Sequence, residues 1–320
     1  MATSPFEGVR WVWMNGKLVP FEQANIHVMT HALHYGSAWF EGIRCYDSPR
    51  GPAVFRLHEH MDRLVMSCRM YRGELPFTVD ELCQATLDTL AANELTYGYI
   101  RPIAFRGFGS VGVNPLGCPI DVAIVVWPWG AYLGEEALKN GIDVCVSSWR
   151  RTSSESMPSF AKAAGGYLNS QLIKMEAVLA GYAEGIALDQ DGFLSEGSGE
   201  NLFLVKDDTL YTPPLSCSLL PGITRDSVIH MAADFGIPVR EERMGRNMLY
   251  ACDEMFLTGT AAEITPVKSV DRIPVRSNGA GPITRRLQDR FFAIVHGEIE
   301  DRHGWLMPVP SASSVSAERA

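Results

Sequence analysis

Residues 99–127 read YIRPIAFRGFGSVGVNPLGCPIDVAIVVW. Two β-rich runs, Tyr99–Phe105 and Asp121–Trp127, flank a loop rich in glycine and proline. The loop holds Gly107-Phe-Gly-Ser-Val-Gly112, which matches the G-x-G-x-x-G of dinucleotide-binding turns. That turn works only where a helix starts at the glycines and aims its N-terminus at a pyrophosphate. Here Val113-Asn-Pro-Leu-Gly-Cys-Pro119 follows, and its two prolines prevent such a helix. No acid ends the next strand to hold a ribose. The stretch therefore reads as two neighbouring strands joined by a glycine-rich loop. Neighbouring strands favour an antiparallel α+β unit over strict βαβ alternation.

Working outward, Trp11–Met14 and Lys17–Val19 around Asn15-Gly16 read as a hairpin on a primed turn. Residues 58–72 have helical spacing, and Thr78 with Glu81 forms a capping box for a helix to about Asn93. Residues 128–136, rich in Pro and Gly, read as a linker between a smaller N-terminal α+β domain (1–127) and a larger β-rich C-terminal domain (137–307). In that second domain Ile142–Ser148 reads as a strand. Residues 166–180 read as a helix with Leu168, Leu172, Met175 and Leu179 inward. Asp191-Gly192 and Asp207-Asp208 mark hairpin turns, Thr224–Phe235 is a helix closed by Gly236, and Pro282–His296 is the last helix. The tail, 308–320, has no periodicity and is expected to be disordered.

The 320 residues exceed what one core usually serves, which supports two domains. A net charge of -9 argues against nucleic acid or an anionic membrane as partner. The longest apolar run, Val122–Leu133, is broken by Pro128 and is too short to span a bilayer. The N-terminus lacks a signal-peptide pattern. Seven scattered cysteines without Cys-x-x-Cys suit a reducing cytoplasm.

Two histidine pairs, His31/His34 and His58/His60, have no third ligand at metal-binding spacing and read as helix-start or surface residues. Gly197-Ser-Gly199 is not a full nucleophile elbow. Of six lysines, Lys17, Lys139, Lys174, Lys206 and Lys268 read as solvated. Lys162 differs, because small residues flank it in Ala161-Lys-Ala-Ala-Gly-Gly166 and no carboxylate lies between Ser156 and Ser170. It reads either as a desolvated, Schiff-base-forming lysine or as part of a mobile glycine loop. Leu220-Pro-Gly-Ile-Thr224 opens a helix with amides suited to a phosphate, and Thr258-Gly-Thr260-Ala261 is a second hydroxyl-rich turn. Glu196 and Glu200 lie in a loop that either holds a ring nitrogen or is simply polar.

Together these segments resemble the class IV (fold type IV) pyridoxal-phosphate aminotransferases, and among them the branched-chain amino acid aminotransferases. The resemblance rests on HALHYG (31–36), FEGIR (40–44), YIRP (99–102), PWGAY (128–132), Ala161-Lys162, GGY (165–167), SEGSGENL (195–202), LPGITR (220–225) and GTAAEI (259–264). They cover nearly the whole chain in family order. The resemblance implies a two-domain fold with pyridoxal 5'-phosphate bound to Lys162, which also shuttles the substrate proton. It implies that Glu196 pairs with the pyridine nitrogen and Tyr167 with the ring oxygen. The phosphate would be held by Arg63, Ile223, Thr224 and Thr260. On the substrate side it implies Tyr99 with Thr260-Ala261 for the α-carboxylate, and Arg101 with Tyr35 and Tyr132 for the second carboxylate of glutamate. Phe40, Tyr132 and Trp129 would wall the apolar pocket. Arg44 belongs to the same set, and Val113 reaches a neighbouring subunit from its loop. The implied reaction is ping-pong transamination between Leu, Ile or Val and 2-oxoglutarate in a homodimer or an assembly of dimers. Other enzymes of this fold, such as D-amino acid or amine transaminases and aminodeoxychorismate lyase, share Lys162 and Glu196 and stand as the alternative.

Overall fold

The computed structural model describes residues 4, 6–130 and 134–310, and its contacts divide the chain into two compact units. The first comprises Met1–Gly130, Ala161–Gly165 and Ala293–Ala320; the second comprises Ala131–Phe160 and Gly166–Phe292. The chain expected to stay in one domain from 137 to 307 thus returns to the first unit twice. With those returns counted, the two units are of similar length.

The first unit is built on an eight-stranded antiparallel sheet. Its spine is the pairing of Gly98–Arg106 with Ile120–Trp127, in register from Tyr99↔Trp127 to Arg106↔Ile120. The loop between them contains no helix, and Gly107 N donates to Pro119 O at 2.8 Å, so it closes as a long hairpin connection. The Asn15-Gly16 hairpin forms as read, both residues at positive φ, and its first strand extends the sheet. Helices Leu57–Met70 and Val79–Ala92 cover one face, and the capping box at Thr78 and Glu81 is present. Their inward residues, Met61, Leu64, Cys68, Leu82 and Leu90, join Trp39, Ile43 and Ile100 in one core. Removing any of the larger aliphatic chains there costs about 2–5 kcal/mol. Ala161 and Ala163 belong to this core, which is why a segment distant in sequence docks beside Trp39. The tail expected to be disordered begins in a strand instead: Leu306–Pro308 pairs with Ala53–Phe55, and Val309 N donates to Pro52 O. Its remainder, 311–320, lies outside the described residues.

The second unit has a mixed eight-stranded sheet, with Asn201–Lys206 and Glu254–Gly259 antiparallel at its centre and Ile142–Val146 joined to both neighbours in parallel. The Asp207-Asp208 turn has both residues at positive φ, the geometry of a primed hairpin. Helix Ile223–Asp234 ends before Gly236 at φ 68°, as read. Helix Tyr167–Leu179 overturns its reading. Ser170, Ile173 and Ala177 face inward, whereas Leu168, Met175 and Leu179 are exposed, Leu179 at 88%. That face is inward because Gly185 of the neighbouring strand approaches Ile173 and Ala177 closely.

Candidate active site

Each unit carries a cluster of functional groups. In the first unit, three contacts fix the backbone at Lys162. Its N–H donates to Ser67 Oγ at 3.0 Å, its carbonyl accepts from Phe40 N at 3.1 Å, and the next residue bridges to Trp39. Of the two readings of Lys162, the mobile loop is therefore excluded. Its Nζ lies 5.2 Å from the centre of the Phe40 ring, on which Arg101 also stacks at 4.7 Å. Arg101 donates to Tyr99 Oη at 3.1 Å, while its Nε is buried with no hydrogen-bond partner. Tyr99 is buried edge-on to Trp129, and Arg44 lies over Trp129 while donating to Gly130 O. Glycine is required at Gly42, where a Cβ would lie 1.9 Å from Tyr99 Oη. This wall is aromatic on its faces and cationic at its edge, which suits a ligand with an aliphatic part and a carboxylate.

Behind the wall lies a group that sequence reasoning missed. Glu41 is fully buried and accepts from Arg63 Nε at 2.7 Å, Arg63 Nη2 at 2.8 Å and His60 Nδ1 at 2.8 Å. His60 and Arg63 are one turn apart on helix Leu57–Met70 and converge on the same carboxylate. Burial alone would raise the Glu41 pKa. The Arg63 guanidinium and the His60 ring outweigh it and hold the carboxyl well below its usual range. Burial pushes the His60 pKa down against the pull of Glu41. His60 is thus a buried partner and not the surface residue expected. The spacing of His60 and Arg63 was the available signal, but nothing local paired them with Glu41.

Tyr35 and Val113 are exposed side chains of the first unit. Tyr35 stacks on His31, and Val113 is 85% exposed. The buried His31 ties the two segments together, with Nε2 2.9 Å from Gly112 O. Tyr132 lies outside the described residues.

In the second unit, Glu196 is buried at the mouth of the Ser195–Glu200 loop. Arg151 Nη2 lies 2.8 Å from its Oε1, while Asn201 Nδ2 and Leu220 N donate to its Oε2 at 3.1 and 3.2 Å. Helix Ile223–Asp234 begins after Gly222, which supplies no side-chain cap, so its first-turn amides suit an external anion. Thr224 is buried in that first turn. Thr260 and Ala261 form the turn between strands Glu254–Gly259 and Glu263–Val270. Tyr167 opens its helix half-buried. The hydroxyls of Ser195 and Thr258 are buried without partners among the described residues. An uncapped helix start, a carboxylate held by fixed donors and orphaned hydroxyls fit a bound phosphate and a basic ring.

Two of the lysines expected to be solvated are half-buried and paired. Lys206 donates to Asp253 Oδ1 at 3.3 Å. Lys174 donates to Ala183 O at 2.6 Å and to the fully buried Glu184 at 2.8 Å. Glu200, four residues after Glu196, is also buried. Its desolvation and the charge of Glu184 push its pKa up to about 8. All seven cysteines are free and buried, so their thiols serve as core residues. Among the described residues no cluster suits a metal ion, and no helix is long and apolar enough to cross a membrane.

A fold of two such sheets with a backbone-locked lysine is that of the class IV aminotransferases. The family model of amino-transferase class IV matches residues 38–270, and the chain belongs to that family. The chain is 54% identical over 297 residues to the branched-chain-amino-acid aminotransferase of Escherichia coli K12, covering 92% of this chain and 96% of that one. The E. coli enzyme's crystal structure superposes with a TM-score of 0.93 at 53% identity, over 94% of this chain and all of that one. The branched-chain amino acid aminotransferase of Thermobaculum terrenum, solved in its PLP-bound holo-form, gives 0.88 at 36% identity, over 94% and 98% of the two chains.

Proposed function

We propose that this chain transfers the amino group of leucine, isoleucine or valine to 2-oxoglutarate, with pyridoxal 5'-phosphate as cofactor. The observation that carries the proposal is the Phe40 ring lying against both the Lys162 ammonium and the Arg101 guanidinium. One wall then offers an amine for chemistry, an apolar face for an aliphatic chain and a cation for a second carboxylate. When bound, the cofactor supplies an aldehyde for the amino group and a ring that withdraws the electrons left when the Cα proton departs.

The protein's own groups do the rest. Lys162 holds the cofactor and then moves the proton at the substrate Cα. Glu196 would pair with the ring nitrogen and Tyr167 with the ring oxygen. The Ile223 and Thr224 amides, the Thr260 hydroxyl and Arg63, which Glu41 orients, would be the groups that hold the phosphate. Tyr99 and Thr260-Ala261 would take the α-carboxylate, and Arg101, joined by Tyr35 of a second copy, would take the distal one. Phe40 and Trp129 would wall the side-chain pocket, with Arg44 fixed over Trp129.

The working unit is a homodimer. Ile26, Val28, Leu33 and Tyr35 are exposed and apolar, as are Phe108, Val111, Val113 and Leu116 in the loop that His27 and His31 contact. A patch of that kind suits a second copy of the chain, to which Tyr35 and Val113 would be offered. Seven free thiols suit the cytoplasm. Turnover assays with each branched-chain amino acid and 2-oxoglutarate, using K162A as control, test the reading. Ping-pong kinetics absent from K162A are expected, and a preference for D-alanine or a simple amine would overturn the substrate assignment.

A further inference from the structure

We propose that Arg151 is a positioning residue that keeps Glu196 ionised and aimed, so that the cofactor's ring nitrogen retains its proton. The proposal deepens the reading above and rests on Glu196 being the ring-nitrogen partner.

Arg151 is set by its own surroundings before it meets Glu196. Its N–H donates to Leu188 O at 2.9 Å, its carbonyl accepts from Gln190, and its Nη1 donates to Ser170 Oγ at 3.0 Å. The guanidinium therefore reaches Glu196 from a scaffold of strand, loop and helix, 2.8 Å from Oε1. Its Nε is buried with no partner, a cost accepted at a place where the charge is wanted. Asn201 and Leu220 hold the other carboxylate oxygen, so the head group is fixed at both oxygens.

The electrostatics require this cation. Glu196 is buried, and burial favours the neutral acid. Glu200, buried in the same loop with its pKa pushed up to about 8, adds repulsion as it ionises near that pH. Lys174 is committed to Glu184. A protonated Glu196 would donate to a neutral ring nitrogen, and a neutral ring is a poorer electron sink. A cation beside a carboxylate lowers its pKa by about 1–3 units. Loss of Arg151 should therefore move the Glu196 protonation equilibrium by roughly 10- to 1,000-fold.

The test is 15N NMR of holoenzyme loaded with pyridine-15N-labelled pyridoxal phosphate, at pH 8, for wild type, R151Q, R151K and E196Q. A protonated ring nitrogen is expected in wild type and R151K, and a shift toward neutral pyridine in R151Q and E196Q. A merely structural role would weaken cofactor binding in R151Q without moving the nitrogen signal. A protonated nitrogen in R151Q, with E196Q shifted, overturns the role of Arg151 alone. A protonated nitrogen in E196Q removes the Glu196 assignment and this proposal with it. If R151Q does not fold, R151K decides: a neutral nitrogen there, despite the retained charge, contradicts the electrostatic account.

Discussion

Arg101 Cζ lies 4.7 Å from the centre of the Phe40 ring, and the same guanidinium donates to Tyr99 Oη at 3.1 Å. The cation is therefore held in place by two aromatic side chains and carries no acidic counter-ion in these contacts. Its unpartnered Nε marks it as a group prepared to receive an anion. Replacing it should injure only the substrate with two carboxylates. R101A is expected to raise KM for glutamate and 2-oxoglutarate on the order of 100-fold, the scale of losing a buried charged hydrogen bond. Leucine should change by no more than several-fold. Steady-state kinetics on both half-reactions decide it, and equal losses would contradict the assignment.

Glu41 ties His60 and Arg63 together inside the first unit. Glu41→Gln leaves a buried guanidinium without its counter-charge and should cost about 3–5 kcal/mol at neutral pH. Because the folded carboxyl titrates below its unfolded value, its contribution is present above about pH 4.3 and fades as pH falls further. Urea unfolding of wild type and E41Q should therefore converge toward pH 3. A gap that stays constant from pH 7 to 3 would show that the variant acts through packing.

Glu200 has the opposite sign. Its folded pKa is raised to about 8, so the folded state is favoured by it below the unfolded value of about 4.3 and loses stability as pH climbs through 8. Glu200→Gln keeps the shape and removes the titration. Its melting temperature should gain several degrees on wild type at pH 8.5 and little at pH 4.5. The same gain at both values would refute the protonated state.

A Cβ at Gly222 would sit 1.9 Å from Asn201 Oδ1. Gly222→Ala must push Asn201 away from Glu196 and from Leu220, disturbing the carboxylate and the helix start together. Strain of this kind costs about 1–3 kcal/mol. Fluorescence titration of the apoprotein should show pyridoxal phosphate bound about tenfold more weakly or worse. Unchanged affinity would mean that this corner does not hold the cofactor.

What the sequence made legible follows from locality. The Asn15-Gly16 and Asp207-Asp208 hairpins, the Thr78 capping box and the failed helix after Gly112 depend on a few adjacent residues, and each appears as read. Lys162 stood out because nothing near it in sequence pairs it. The inverted face of helix Tyr167–Leu179 was hidden, since its periodic leucines lie outside while the strand that follows, with Gly185 against Ile173 and Ala177, packs on the other face. Glu41 and Lys174 were missed for a related reason. Their partners lie 22 and 10 residues away, and the pairing depends on how the intervening chain folds back. The return of 161–165 to the first core depends on alanines docking beside Trp39, which no periodicity signals.

The most direct test of the central claim is the visible spectrum of the purified holoenzyme during one half-reaction. L-leucine should bleach the cofactor's long-wavelength band, and 2-oxoglutarate should restore it, with K162A unresponsive. A band that L-leucine leaves unchanged, but that D-alanine or a simple amine bleaches, would contradict the account while leaving the fold in place.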